Sequence, residues 1–183
     1  MNLLREYIQG QFIVIPPPPE LGIRISELEY IDKRRKNPVT DPKYSEVLDT
    51  GMSDIFDRIL IGVGVSGYRE KIVALKNEVR PAVRLHKDYF DEMRPNELAE
   101  SLGTALDYDY LESAQTPSYP SGHTTQAFYV AHCLSDIFPD LRVPFFEVAD
   151  MVAESRIDRG VHFPSDNEAG KQLAYYLYRE KIG

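Results

Sequence analysis

The sequence predicts an all-α fold, and three observations carry that prediction. Apolar residues recur at steps of three and four along most of the chain, the spacing that lines one face of a helix. No stretch of six or more residues alternates polar and apolar as a half-buried strand does. The 183 residues are 43% hydrophobic and 27% charged, which suits one core and a single domain over residues 1–183.

The elements follow in order. Residues 1–20 read as an extended arm, because Pro16 to Pro19 form a short polyproline II segment with no backbone donors. Residues 20–31 turn helical toward their end, and Asn37-Pro38 and Asp41-Pro42 mark breaks. Val47, Leu48, Met52, Ile55, Phe56 and Ile59 fit one face of a helix over 44–61. A second helical stretch over 68–89 points Ile72, Leu75, Val79, Val83 and Tyr89 inward, with Pro81 kinking or dividing it. Three more helices read over 124–138, 145–157 and 167–182. Their stripes include Ala127, Ala131 and Leu134 in the first and Ala169, Leu173 and Leu177 in the last. Gly62 to Gly67 match G-x-G-x-x-G, but helix-like sequence follows and no further strand runs appear. We read that segment as a glycine-rich helix connection and not as a nucleotide site.

Composition excludes several classes. A net charge of −8 and a pI near 5.0 disfavour binding to nucleic acid or an anionic membrane. The longest apolar run, Ile59 to Val65, is seven residues, far short of the ~20 that cross a bilayer. Arg5 and Glu6 interrupt the start of the chain, so the reading expects no signal peptide, no membrane partner and a cytoplasmic location. Cys133, the single cysteine, forms no internal disulfide and fits a reducing compartment.

Three motifs carry chemistry. Lys87 and Arg94, in K-x6-R-P, would share a helix face about 10 Å apart, with Pro95 ending that helix. Taken alone, two such cations are usually a solvated surface. Pro117 to Thr124 read P-S-Y-P-S-G-H-T, a tight turn into a helix starting near Thr124. A helix N-terminus presents free N–H groups to an anion, Ser121 adds a hydroxyl, and His123 adds a proton source near neutral pH. The plain alternative is a capping serine. Ser155 to Asp166 contain S-R-x5-H-x3-D, in which Asp166 can receive the N–H of His162 as in a histidine-based triad. The plain alternative is an ion pair and a core histidine.

Together these motifs resemble the signature of the phosphatidic acid phosphatase type 2 and vanadium haloperoxidase superfamily. They are most similar to bacterial class A nonspecific acid phosphatases, through Pro16 to Pro19, Ser118 to Thr124 and Gly160 to Asp166. The resemblance implies a helical bundle of the acid phosphatase/vanadium haloperoxidase type. It also implies a metal-independent and cofactor-free phosphatase that acts on small-molecule phosphomonoesters. His162 would be the nucleophile, forming a phosphohistidine, and Asp166 would hold its tautomer. His123 would protonate the leaving alcohol and then activate water. Lys87, Arg94 and Arg156 would neutralise the phosphoryl oxygens, with Ser121 and the Gly122 N–H completing the cradle.

The alternative is a vanadate-dependent haloperoxidase, since the same residues would hold vanadate, but those chains are much larger. A catalytically silent anion-binding module is a third reading, weakened because both histidines and Asp166 are present. The chain departs from the acid phosphatases in the leader the reading does not expect, in its single cysteine, and in placing Asn96 where an aromatic is common. His132 lies half a helical turn out of phase with His123 and reads as structural. His86, Asp158 and Arg159 read chiefly as surface or supporting residues, and the tyrosine-rich C-terminal helix could support a homo-oligomer.

Overall fold

The architecture is organised around α7 (Gly122–Ile137), whose side chains are buried on almost every face. The computed structural model describes residues 13–183, and its described residues form helices with no strand. The sequence prediction of an all-α bundle is therefore observed. Before α7 come α1 (Leu21–Lys36), α2 (Pro42–Thr50), α3 (Met52–Gly62), α4 (Arg69–Glu78), α5 (Arg80–Phe90) and α6 (Pro95–Ser101). After it come α8 (Arg142–Asp158) and α9 (Pro164–Ile182).

α8 and α9 pack along α7, because Leu134, Phe145, Val152, Leu173 and Leu177 are each fully buried there. Each such side chain contributes about 1.5–3 kcal/mol by leaving water. α3 closes the other side, with the Phe56 and Phe145 ring centroids 6.0 Å apart. Gly170 is what lets α9 approach the start of α7. A Cβ there would lie 2.8 Å from the Ser121 carbonyl oxygen.

Several local expectations change. The helix expected over 44–61 is two helices, broken at Gly51. The stretch over 68–89 is also two, and Pro81 sits in the first turn of α5, where its missing N–H costs nothing. Tyr89, expected inward, is 65% exposed. α9 begins at Pro164, earlier than its apolar stripe suggests. His86 is not at the surface. It is fully buried, its Nδ1 donates to the Ala82 carbonyl (2.8 Å), and its Nε2 accepts from the Val14 N–H (3.2 Å).

Of the expected arm, residues 1–12 lie outside the described residues. The rest runs without helix and is tied down at Val14 and by Tyr119 Oη donating to the Pro16 carbonyl (2.8 Å). Asp158 is also buried. It accepts from Arg34 Nε (2.9 Å) and the Thr40 N–H (2.8 Å), so it locks α8 to the segment joining α1 and α2. Arg159 donates to Asp109 (2.8 Å). His132 stacks on Tyr178, centroids 4.8 Å apart, well away from the three motifs, as the helical phase predicts.

Candidate active site

The third motif assembles at the start of α9. Pro164 opens the helix, and Asp166 one turn in caps it by accepting the Phe163 N–H (3.0 Å). The same oxygen, Oδ2, accepts from His162 Nδ1 (3.0 Å) and from Ser118 Oγ (2.5 Å). With Nδ1 carrying the proton toward Asp166, His162 Nε2 is left with its lone pair, 3.4 Å from Arg94 Nη1. Asp166 is fully buried, and the guanidinium of Arg24 lies 3.7 Å from its other oxygen. Arg24 also covers the Phe163 ring at 4.0 Å.

The two cations of the first motif do not share a helix. α5 stops at Phe90 because Asp91 adopts a left-handed conformation (φ 48°, ψ 44°), and Arg94 instead caps α6, which Pro95 begins rather than ends. The turn still brings the two to one loop, and Arg94 lies near enough to help depress Lys87. Three successive carbonyls of the loop before α7 hold them. Arg94 Nε donates to Thr116 O (2.8 Å), and Lys87 Nζ donates to Pro117 O and to Ser118 O (3.0 Å). Arg94 Nη1 donates to Val161 O (2.7 Å), which ties it to the His162 loop.

The second motif starts α7. Ser121 is its N-cap, its Oγ accepting from the Thr124 N–H (3.5 Å), the capping role named as its plain alternative, and its hydroxyl also meets Thr124 Oγ1 (2.9 Å). Gly122 lies against α5, since a Cβ there would sit 3.3 Å from Val83 and 3.9 Å from Lys87 Cε. His123 Nε2 faces Asp49, 3.1 Å from its carbonyl and 3.2 Å from its carboxylate. The same carboxylate accepts from Arg156 Nη1 (2.6 Å) and Ser113 Oγ (2.8 Å). Arg156 is 1% exposed, and its Nε and Nη2 are buried with no hydrogen-bond partner among the described residues.

Burial and mutual repulsion set the protonation states. Burial, then Arg94, hold the His162 imidazole well below its ordinary range, which favours its neutral form. Burial, then Arg156, depress His123, while Asp49 pulls it back up. Burial raises the Asp166 carboxyl, but the His162 hydrogen bond and the charges of His162 and Arg24 bring it below the usual carboxylate value. Burial and the neighbouring Arg94 lower Lys87 strongly, and burial lowers Arg94 to about 10. Cations crowded enough to depress one another are an electrostatic strain that a bound anion would relieve.

All eight residues singled out by the motifs therefore lie in one region. Sequence reasoning missed Asp49, Arg24 and Ser118. Ser118 stood inside a motif with no role assigned. Asp49 and Arg24 are ordinary charges on helices distant in sequence, and only the fold brings them to the site.

Comparison with known proteins agrees with the geometry. A family model described as the PAP2 superfamily matches residues 72–179. The chain is similar to an acid phosphatase of Zymomonas mobilis subsp. mobilis, at 25% identity over 88% of this chain and 65% of that protein. It is also similar to a lipid A 1-phosphatase of Rhizobium etli, at 35% identity over 44% of this chain and 40% of that protein. The chain thus spans less than two thirds of the length of either curated relative. Among solved structures, a transmembrane PAP2-type phosphatidylglycerolphosphate phosphatase from Bacillus subtilis shares the fold, with a TM-score of 0.59 and 19% identity. The match covers 99% of this chain and 89% of that one. No helix among the described residues is long and apolar enough to cross a membrane. With a transmembrane protein sharing the fold, the expectations of no membrane partner and a cytoplasmic place gain no support. The family match covers more than half of the chain, and its range holds all eight candidate residues: this chain belongs to the PAP2 superfamily.

Proposed function

We propose that this chain is a phosphatase of phosphomonoesters that works through a phosphohistidine, with no metal required. The observation that carries the reading is the His162–Asp166 pair, which leaves Nε2 unprotonated, its lone pair 3.4 Å from Arg94 Nη1 in a buried cationic site. His162 Nε2 attacks phosphorus, and the bond to the leaving oxygen breaks as the N–P bond forms. Asp166 keeps the Nδ1 proton in place and stabilises the cationic ring of the intermediate. The orphaned donors of Arg156, with Arg94, Lys87 and the N–H groups opening α7, meet the phosphoryl oxygens as charge develops on them. His123 gives its proton to the leaving alkoxide, then takes one from the water that cleaves the N–P bond, which restores both histidines. Lys87, Arg94 and Arg156 supply the charge compensation that a metal would otherwise provide.

The names of the curated relatives support a phosphatase, and nothing in them favours the haloperoxidase. The test is hydrolysis of 4-nitrophenyl phosphate in EDTA by the protein and by His162→Ala. Turnover that survives EDTA and vanishes in the variant supports the reading. Full activity in the variant overturns the nucleophile assignment.

A further inference from the structure

Two cavities flank the site, and their charges are opposite. One, of about 570 Å³, reaches Arg94 and Val161 and is lined by Asp91, Glu92, Glu97 and Asp109. The other, of about 280 Å³, opens onto Lys87, Gly122 and His123, and its outer wall carries Arg80 and Arg84 with no carboxylate in the lining. His123, the proton donor to the departing alcohol under the proposed function, marks the second cavity as the side on which the leaving group lies. Arg80, Arg84 and Lys87 follow one another at steps of four and three along α5, so they form one stripe running outward from the phosphate site. At 1.5 Å per residue, Arg84 and Arg80 stand about 5 and 10 Å beyond Lys87. The two arginines are not equivalent. Arg84 is paired with Asp88 at 2.7 Å, whereas the Arg80 side chain has one hydrogen bond, a 3.4 Å contact to Asn77, and no carboxylate within 4.0 Å among the described residues.

We infer that Arg80 and Arg84 form a leaving-group subsite that selects phosphomonoesters whose alcohol carries a second anionic group, about 5–10 Å from the ester phosphate. The inference rests on the phosphatase reading and adds the substrate class. A guanidinium on the cavity wall attracts a carboxylate or a second phosphate. The acidic cavity on the other flank would repel either. Arg80, the unpaired cation, carries more of the selection than Arg84. The cavity volume limits the part of the alcohol held there to a compact group.

The experiment compares kcat/KM for 4-carboxyphenyl phosphate with that for its neutral methyl ester, 4-(methoxycarbonyl)phenyl phosphate. The carboxylate is the slower substrate on leaving-group grounds alone, so a preference for it reads binding at the subsite. Exposed ion pairs are each worth up to about fivefold, so a preference of about five- to tenfold is expected at low salt, shrinking as salt rises. Arg80→Gln should abolish most of the preference, Arg84→Gln less of it, and Arg80→Lys should retain it. The same pair bearing a hexyl chain on the ring separates lipid headgroups from small esters. A charge preference kept in the chained pair assigns the subsite to headgroups, one confined to the unchained pair assigns it to small esters, and either supports it. Hydrolysis of both esters at one rate, or a preference untouched by Arg80→Gln, overturns the subsite and leaves the phosphatase reading standing. No hydrolysis of either ester by the unmodified protein overturns both.

Discussion

Asp49→Asn is the substitution that best separates the proton donor from the anion cradle. The Asp49 carboxylate lies 3.2 Å from His123 Nε2 and 2.6 Å from Arg156 Nη1. Asparagine keeps an oxygen that can accept the Arg156 hydrogen bond and removes the charge. At 3.2 Å and an effective dielectric constant of about 20, the lost attraction to a protonated His123 is about 5 kcal/mol as an upper bound. Neighbouring charges at such range move a pKa by about 1–3 units. Burial and Arg156 already depress His123, and Asp49 opposes them, so the variant pushes its pKa further down. The protonated fraction at a fixed pH then falls about tenfold or more. An alkyl phosphate needs that proton, so its kcat/KM at pH 6 should fall by about 10²-fold, with the alkaline limb of the profile, which His123 deprotonation sets, moved to lower pH. With 4-nitrophenyl phosphate, whose leaving group departs unassisted, the loss should stay within about threefold. Equal losses on both substrates with unshifted profiles would refute the coupling and leave Asp49 a purely structural partner of Arg156.

Further outcomes follow from the same contacts. Arg94→Lys loses the fork that reaches Thr116 O and Val161 O, so kcat/KM should drop by about 10²-fold, with a stability loss of about 1–3 kcal/mol from the carbonyls left unpaired. Asp158→Ala leaves buried Arg34 without its closest carboxylate and should destabilise the fold by about 3–5 kcal/mol in urea denaturation, while Arg34→Met with Asp158→Leu should cost less than that. Burial holds His86 neutral, its folded pKa lying below 6.5, so the unfolded chain binds the extra proton and stability falls as pH drops below about 6.5. His86→Gln should flatten that slope in denaturation measured between pH 7 and pH 5. Gly170→Ala drives a Cβ to 2.8 Å from Ser121 O, and should lower stability by about 1–3 kcal/mol and kcat together, because the start of α7 must shift.

The fold class was legible because the long helices carry their apolar stripes openly, as in Leu134 on α7 and Leu173 on α9. Breaks were harder. Gly51 divides a stretch whose apolar spacing runs unbroken, because the stripe continues across the turn. Tyr89 lies about 100° off the Ile72–Val83 stripe and is exposed, while Phe90, in phase with that stripe, packs on Tyr119. The motif residues were legible because their chemistry is encoded at short range, Asp166 four residues after His162 and His123 beside its own helix cap. The grouping of Lys87 with Arg94 was anticipated for a reason the structure replaces, since a left-handed turn at Asp91 does what a shared helix face was expected to do. Asp49 and Arg24 stayed hidden because nothing local distinguishes them. Their meaning lies in contacts 107 residues away, to Arg156, and across the bundle, to Asp166.

The central claim is the covalent step at His162. Acid quenching does not suit a phosphohistidine, so turnover of a 32P-labelled aryl phosphate should be stopped in alkaline detergent and the digested protein mapped. The account predicts label on the peptide that holds His162, stable to base, released by acid, and absent from His162→Ala. Label on another residue, or turnover with no trapped label in a His123→Ala protein whose second step is slowed, would contradict it.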